Sequence, residues 1–454
     1  MDKKLSFSSY LLVGSMLFGL FFGAGNLIFP VHMGQLAGAS TPLATIGFLA
    51  TAIGLPFLGV IAIGISGSSG LFDLAGRVHP VYGYVMTILL YLTIGPFFAL
   101  PRTATVSYEI GVVPFLPKEM HQLGLAVFTL VFFAVALAFS MRPNKLLMWV
   151  GKVLNPLFLA VLAILIVLSV VSPMGSVSQI AVAEPYVASP FFKGFLEGYN
   201  TMDALASLAF GIIVVNSLKE LGVKSPRGIA LDTIRSGAVS VILMGLIYAF
   251  LAYMGATSAG KFAVSENGGI ALAQIANYYL GTAGSVLLAI IVTVACLKTA
   301  IGLITACSQT FCELFPNRLS YRTYTILFTL VSLLIANIGL TQIISLSIPV
   351  LMFLYPLAIS LILLGILSPL FHNRRCVYLI PTIFTLFAGV GDFLAALPKQ
   401  LTEQPTVKAI LGVYRESLPF FSLGMGWVIP LAVGLVVGFI VYFATKQKNM
   451  GQRA

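Results

Sequence analysis

Residues 19–30 combine glycine, alanine, an amide and a proline inside an otherwise apolar segment, GLFFGAGNLIFP. A helix that loosens at residues 23–26 leaves backbone N–H and C=O groups without partners, and hydrocarbon makes each such group costly. Irregular backbone therefore persists in a membrane only where it lines a cavity or holds a ligand. We predict an unwound hinge here that binds a small polar solute or a cation.

A second polar stretch lies five predicted spans later, where residues 197–204 read EGYNTMDA. Asp203 could bind a cation, relay a proton or cap the half-helix that begins after it. Glycine-interrupted hydrophobic segments at corresponding positions of two halves indicate a transporter built from inverted repeats. The N-termini of such half-helices direct partial positive charge at a substrate anion, while freed carbonyls face cations. Isolated glycines can also be packing residues, so the spacing alone leaves this open.

The composition identifies the class of protein that positions these residues. Hydrophobic residues make up 59% of the chain and charged residues 9%, with a mean hydropathy of +1.03. Soluble domains are about 25% charged, so we predict a polytopic membrane protein surrounded by lipid. The net charge of +11 does not indicate a nucleic-acid partner, because the basic residues lie in short loops rather than in one patch.

The hydropathy pattern predicts an all-α protein of about twelve transmembrane helices. Of the 25 basic residues, 17 fall in loops that this scheme places inside the cell, seven fall on the outer side, and Lys298 lies within a span. The asymmetry predicts that both termini are cytoplasmic. The predicted spans cover residues 8–34, 42–66, 81–107, 122–140, 147–171, 191–217, 229–255, 284–313, 321–337, 341–368, 377–397 and 422–444.

The sequence does not contain the motifs that are typical of enzymes, metal sites or channels. There is no HExxH, no nucleotide-binding loop and no cluster of histidines or paired carboxylates, so we expect neither an enzyme nor a cofactor. We expect unpaired thiols at Cys296, Cys307, Cys312 and Cys376, because no pair has metal-ligand spacing. A channel is the alternative to a carrier, but rings of like charge are missing and paired broken helices fit alternating access better.

Four ordered motifs resemble the bacterial branched-chain amino acid:cation symporters of the BrnQ type. They are FGLFFGAGNLIFP at 18–30, IGPFFALPRTA at 94–104, GYNTMDAL at 198–205 and TAIGL at 299–303. The resemblance covers essentially the whole chain. It implies one transmembrane domain, 1–454, with the LeuT-like fold of the amino acid/polyamine/cation superfamily. Helices 1 and 6 are then broken, the inverted repeats span about 8–171 and 191–368, and two extra helices occupy about 377–444.

The resemblance also implies a substrate site and two cation sites. Backbone N–H groups of the first break would hold the substrate carboxylate, and the sixth span would receive the α-amino group. The substrate-binding residues would be Gly23, Ala24, Gly25, Asn26, Leu27, Tyr199, Asn200, Thr201 and Asp203. The side-chain oxygen of Asn26 would contact a cation near that carboxylate. A second cation would lie between the carbonyls of Gly19 and Phe22 and the hydroxyl of Thr299.

One residue departs from the LeuT-like pattern. The position before Thr299 usually carries a hydroxyl that ligates sodium, and here it is Lys298. A buried ammonium could take the place of the cation and make transport sodium-independent or proton-coupled, since lysine releases its proton readily when desolvated. Alternatively, Lys298 points away from the pocket and pairs with carbonyls of a neighbouring helix.

Three further charged residues lie near the predicted outer surface. Arg102 and Glu109 are seven residues apart and so share one face of the third span. They form an outer gate or, as we favour, extend toward the surface as charges at span ends usually do. Asp392 is expected to reach water from the outer end of the eleventh span.

The sequence therefore predicts a carrier of the bacterial cytoplasmic membrane. It would import leucine, isoleucine and valine by symport with Na⁺ or H⁺, the transported cation being the coupling ion. In the alternative mechanism, the ammonium of Lys298 takes the place of sodium and transport does not depend on sodium. No obligate protein partner is evident.

Overall fold

The computed structural model describes residues 5–141, 146–223 and 225–451, and all regular structure in them is helical. The inner-loop charges of Lys3, Lys4, Arg142, Lys145, Lys224 and Arg453 lie outside the described residues. The α-helices are α1 Phe7–Phe21, α2 Ala24–Ala37, α3 Thr41–Leu49, α4 Leu55–Ser66, α5 Leu71–Gly76, α6 Pro80–Leu92, α7 Ala99–Gly111, α8 His121–Ser140, α9 Leu146–Val171, α10 Glu184–Val187, α11 Pro190–Glu197, α12 Asp203–Glu220, α13 Pro226–Ser258, α14 Gly268–Leu314, α15 Tyr321–Ala336, α16 Leu340–Phe371, α17 Arg375–Ala395, α18 Lys399–Thr402, α19 Pro405–Ser417 and α20 Val428–Gly451.

The helices are long and apolar enough to make this a multi-pass membrane protein. Within the described residues, eight helical stretches can each cross a bilayer, and the pair formed by Pro190–Thr201 and Asp203–Glu220 makes a ninth span with a bend of 48°. Shorter apolar helices occupy Phe7–Phe21, Leu159–Val171 and Tyr321–Ala336. The architecture is consistent with the twelve predicted spans.

The first span is broken where the sequence predicts it. Helix α1 ends at Phe21, Phe22 and Gly23 are extended, and α2 begins at Ala24. The Gly23 N–H donates a 3.0 Å hydrogen bond to Asn26 Oδ1, so the amide caps the new helix from within. The break is narrower than predicted, because Asn26 is already helical.

The sixth span is broken by a 3₁₀ turn and a left-handed residue. Residues Gly198–Thr201 form the turn, Met202 has a φ of +61°, and α12 begins at Asp203. The left-handed region costs a bulky side chain about 1–3 kcal/mol. Burial of Met202, which is 2% exposed, holds it in this strained conformation.

The neighbouring spans are also irregular, which the sequence did not predict. A π-helical turn at Ala50–Gly54 joins α3 to α4, and a second one at Thr93–Phe97 joins α6 to α7. The second turn contains Gly95, whose backbone is not helical, followed by Pro96. Turns of this kind are frequent at functional sites, and the first of them packs against the sixth-span break, where a Cβ on Gly198 would lie 2.2 Å from Thr51 Oγ1.

Helices α2 and α13 touch backbone to backbone. A Cβ added to Gly34 would lie 2.0 Å from the carbonyl oxygen of Ala252, and one added to Gly255 would lie 2.0 Å from that of Val31. Only glycine fits at these two positions. Small residues at helix interfaces allow this approach in membrane proteins, where close packing drives association.

Helices α3 and α11 repeat this arrangement. A Cβ on Gly47 would lie 1.9 Å from the carbonyl oxygen of Phe191, and one on Gly194 would lie 1.9 Å from that of Ala44. The first contact joins the second half of span 1 to span 7, and this one joins span 2 to the first half of span 6. Glycines thus bring each of the two broken spans into backbone contact with a neighbouring helix.

Candidate functional site

The two broken spans meet at one pair of buried side chains. Asn26 Nδ2 donates a 2.6 Å hydrogen bond to Asp203 Oδ2, and it also donates to the hydroxyl of Tyr248 on α13. Asn26 is 2% exposed and Asp203 4%. Asn26 Oδ1, the predicted cation ligand, accepts from Gly23 N–H in this conformation. One amide therefore connects the first break, the sixth span and α13.

The sixth-span break arranges its polar groups around Thr201. Its Oγ1 donates to the Gly198 carbonyl at 3.0 Å and accepts from Asp203 N–H at 3.3 Å. Asn200 Nδ2 donates to Glu197 Oε2 at 3.0 Å. Asp203 connects this turn to Asn26 of the first break, while the two hydrogen bonds of Thr201 lie within the turn. The ring of Tyr199 instead stacks on Tyr355, with centroids 4.0 Å apart.

The N-terminus of α2 supplies the N–H groups for the expected anion. The first turn contains Ala24, Gly25 and Asn26 and has no acidic residue. The first N–H groups of a helix have no intrahelical acceptors, and the helix dipole places partial positive charge there. A Cβ on Gly25 would lie 3.8 Å from the Asn200 carbonyl oxygen, so the N–H-rich end of α2 faces the carbonyl-bearing turn of the sixth span.

A second group of predicted residues surrounds a small cavity between the first break and α14. Its volume of about 40 Å³ has room for an ion or a few water molecules but not for leucine. It contains all four residues that the sequence assigned to the second cation position or its substitute. The lining residues are Phe18, Gly19, Phe22, Gly23, Ala24, Leu27, Ala295, Cys296, Lys298 and Thr299.

Lys298 and Thr299 belong to the α14 wall of this cavity. Thr299 Oγ1 donates to the Ala295 carbonyl at 3.1 Å, which leaves its lone pairs available. Lys298 is half-buried, and among the described residues it has no hydrogen bond or ion pair. The pairing of Lys298 with carbonyls of a neighbouring helix is therefore not found there.

Arg102 is buried at the centre of the fold, so the prediction that it extends to the surface was wrong. Its exposure is 3%. The guanidinium donates to the Asn200 carbonyl at 2.6 Å and to Ser347 Oγ at 3.0 Å, and its Cζ lies 5.0 Å from the ring centroid of Phe29. The carbonyl freed by the broken sixth span and the aromatic ring compensate a charge that would otherwise need water.

Glu109 does not join Arg102. A Cβ on Gly269 would lie 3.1 Å from Glu109 Cβ, so this side chain packs against the beginning of α14. Asp392 was also predicted incorrectly, because it is 1% exposed rather than in contact with bulk water. The loop before α20 covers it, and a Cβ on Gly426 would lie 3.3 Å from Asp392 Oδ1.

Sequence reasoning missed three residues of this centre. Tyr248 receives a hydrogen bond from Asn26, Ser347 receives one from Arg102, and Met202 turns the chain between the two halves of the sixth span. Tyr248 and Ser347 are polar residues within long apolar helices, and this property could have marked them in the sequence as candidate site residues. No comparable signal marked Met202.

Comparison with known proteins identifies the family. The family model described as "Branched-chain amino acid transport protein" matches residues 6–445. The chain belongs to this family. It is 48% identical to the branched-chain amino acid permease BrnQ of Lactobacillus delbrueckii subsp. lactis, over 95% of this chain and 96% of that protein. It is 44% identical to BrnQ of Bacillus subtilis (strain 168), over 98% and 100%.

Solved structures of Mhp1 have the same fold. The inward-facing conformation matches with a TM-score of 0.60 and 14% identity, over 99% of this chain and 96% of Mhp1. Mhp1, a nucleobase-cation-symport-1 family transporter, also matches in a closed conformation with bromovinylhydantoin bound. That match has a TM-score of 0.61 and 14% identity, over 97% and 93%. The predicted LeuT-like fold is thereby confirmed.

Proposed function

We propose that this protein is a secondary carrier that imports leucine, isoleucine and valine by alternating access. The observation that carries the proposal is the direct hydrogen bond between Asn26 and Asp203, which joins the two helix breaks at one point. Broken helices that meet at the centre of inverted repeats form substrate sites in carriers. The names of the two BrnQ relatives, permeases for branched-chain amino acids, support the substrate class.

The chemistry of the two breaks suits a zwitterion. The backbone N–H groups of residues 24–27 would receive the carboxylate, and Asn200, Thr201 and Asp203 would receive the α-ammonium. Tyr199, whose ring turns toward Tyr355 in this conformation, would have to rearrange to close the pocket. Apolar side chains would contact the aliphatic end of the substrate, where a charged side chain would lose its hydration without gaining a partner.

The coupling cation would occupy the small cavity beside α14. The carbonyls of Gly19 and Phe22 and the hydroxyl of Thr299 are oxygen ligands of the kind that a hard cation such as Na⁺ requires. Lys298 places an ammonium in the same wall, and this supports the alternative in which the lysine replaces sodium. Arg102 and Glu109 remain candidates for an outer gate, acting separately on the sixth span and on α14.

Uptake of labelled leucine into proteoliposomes tests the function and separates the two coupling modes. A sodium gradient and a proton gradient are imposed in turn on the wild type, on Lys298→Thr and on Lys261→Thr, a matched control at an exposed loop lysine. Uptake driven by sodium alone in the wild type would place Lys298 outside the coupling step.

The other outcomes of this experiment are equally specific. Uptake driven by protons, or uptake that ignores sodium until Lys298 is replaced, would assign the cation position to the ammonium. If neither gradient drives leucine accumulation, the proposed function is wrong and only the carrier fold stands.

We also propose that the protein lies in the bacterial cytoplasmic membrane with both termini in the cytoplasm. The distribution of basic residues supports this orientation. The proposed repeats run from about 8 to 171 and from about 191 to 368, with α17 and α20 added. Labelling of single cysteines introduced at residues 6 and 400 with a membrane-impermeant maleimide would test the orientation. Reaction at residue 6 in intact cells would contradict it.

A further inference from the structure

The side-chain amide of Asn200 is oriented by one neighbour, the carboxylate of Glu197. Asn200 Nδ2 donates a hydrogen bond to Glu197 Oε2 at 3.0 Å. An ionised carboxylate offers acceptors only, so it selects the NH₂ end of the amide and turns Asn200 Oδ1 away. This Oδ1 accepts no hydrogen bond from the described residues and is not fully enclosed by them. The acceptor of the amide is therefore left for another donor.

Lys193 supports the charge on which this orientation depends. Its Nζ lies 3.0 Å from Glu197 Oε1, so one oxygen of the carboxylate faces an ammonium and the other faces the Asn200 amide. An ion pair requires the ionised carboxylate, and only that form lacks an O–H that could donate to Asn200 Oδ1 and favour the reversed amide. The ion pair and the orientation of the amide therefore belong together.

The backbone on both sides of this contact is held by other elements. Thr51 Oγ1, in the π-helical turn between α3 and α4, donates to the Phe195 carbonyl at 2.6 Å and so fixes the end of α11. The Asn200 carbonyl accepts from Arg102 at 2.6 Å. With the backbone held at both places, Glu197 decides which end of the Asn200 amide points away from it.

We propose that Glu197 is a positioning residue for recognition of the substrate α-ammonium. By holding Asn200 Nδ2, it presents Asn200 Oδ1 to a group that carries donors only. With the amide reversed, an N–H of Asn200 would meet the ammonium, and neither group would offer an acceptor. Glu197 acts through Asn200, since its own oxygens are occupied by Lys193 and by that amide. The inference rests on the proposed function, in which Asn200 receives the α-ammonium.

The kinetics of labelled-leucine uptake into proteoliposomes test the proposal with an exchanged ion pair. Lys193→Glu combined with Glu197→Lys keeps both charges and their spacing on α11 but places a donor-only ammonium beside Asn200. The amide should then reverse, turning Oδ1 toward position 197 and Nδ2 toward the substrate. We expect the KM for leucine to rise by about 10- to 100-fold with kcat within about 2-fold of the wild type, as for one lost hydrogen bond to a charged group. An ion pair with a structural role alone would leave KM unchanged.

Asn200→Asp separates the orientation of the amide from the packing around it. In the exchanged pair, a carboxylate at position 200 has one acceptor for the ammonium at position 197 and another for the substrate, so KM should return to within about 5-fold of the wild type. In the wild-type background the same substitution sets two carboxylates against each other and should raise KM. If the exchanged pair does not fold, Glu197→Gln added to Asn200→Asp supplies the donor instead. It should lower KM by at least about 5-fold relative to Asn200→Asp alone.

Lys193→Gln is the matched control, because it breaks the ion pair but leaves the carboxylate of Glu197 beside Asn200. It should change KM by less than about 5-fold, as for an ion pair that is partly exposed. A wild-type KM in the exchanged pair, or a raised KM that neither combination with Asn200→Asp restores, would overturn the positioning role and leave the proposed function intact. A wild type that takes up no leucine under either gradient would overturn both proposals.

Discussion

Asn26 and Asp203 are 177 residues apart in the chain, yet their side chains are joined by a hydrogen bond of 2.6 Å. The same amide holds the Gly23 N–H through its oxygen, so its two ends are attached to different half-helices. A displacement of either break must stretch or exchange this contact. The pair therefore links the two broken spans directly.

Replacement of Asn26 by alanine should abolish leucine accumulation. The change leaves the buried Asp203 without its donor and Gly23 N–H without its acceptor, and a hydrogen bond to a charged group contributes about 1.5–3 kcal/mol. We expect the initial rate of uptake to fall by at least about 10-fold at equal membrane abundance. Asn337→Ala is the control, because Asn337 also donates two hydrogen bonds but to Thr129 and Leu333. Wild-type uptake by Asn26→Ala would remove this residue from the site.

The charge of Asp203 is expected to matter separately from its shape. Asp203→Asn preserves the volume and can still contact Asn26, but it removes the carboxylate that would attract a substrate ammonium or a cation. Gradient-driven uptake should be lost. Asp232→Asn is matched to it, since Asp232 is also buried but accepts from Tyr10 at 2.9 Å and pairs with Arg235 at 3.3 Å. Equal losses in both variants would point to a general effect of removing a buried carboxylate.

Arg102 should not be replaceable by lysine. Its guanidinium reaches the Asn200 carbonyl and Ser347 with two separate nitrogens, a geometry that a single ammonium cannot reproduce. Arg102→Lys and Arg102→Met should both reduce the kcat/KM of leucine uptake by about 10-fold or more. Full rescue by lysine would mean that only the positive charge matters. Arg415→Lys should leave kcat/KM unchanged, since that side chain is exposed and has no hydrogen bond or ion pair among the described residues.

A methyl group at Gly34 should destabilise the protein. It would lie 2.0 Å from the Ala252 carbonyl oxygen and force α2 away from α13, and overpacking of this kind costs about 1–3 kcal/mol. The thermal midpoint measured by fluorescence-detected size-exclusion chromatography should fall by several degrees. Gly302→Ala serves as the control, because no atom lies within 4 Å of its added Cβ. Equal midpoints for the two variants would contradict the close contact.

Competition should follow the chemistry of the pocket wall. Unlabelled leucine, isoleucine and valine are expected to compete with labelled leucine, while lysine and glutamate should compete weakly. An apolar wall leaves a charged side chain unpaired, whereas one methylene changes binding by only about 1–3 kcal/mol. The measurement is inhibition of initial uptake at equal concentrations. Strong inhibition by lysine or glutamate would be inconsistent with a dry pocket.

The sequence predicted both breaks because glycines and polar residues inside apolar spans have few structural explanations. It could not predict the partners of buried charges, which come from distant elements. Arg102 and Asp392 were predicted to reach the surface because they lie close to the ends of predicted spans. In the structure, the Asn200 carbonyl accepts a hydrogen bond from the buried charge of Arg102, and the loop before α20 covers Asp392. The strained backbone of Met202 is fixed by tertiary packing that no local pattern encodes.

The π-helical turn at Ala50–Gly54 is equivalent to one residue inserted into an α-helix. Before it, Gly47 touches α11; after it, a Cβ on Gly59 would lie 1.9 Å from Ser207 Oγ on α12. Deleting one residue from the turn would restore regular hydrogen bonding but rotate the following half by about 100° and carry Gly59 out of that contact. An insertion or deletion in this turn should therefore misalign the contacts on one side of it, whereas a substitution would leave the register of both helices unchanged.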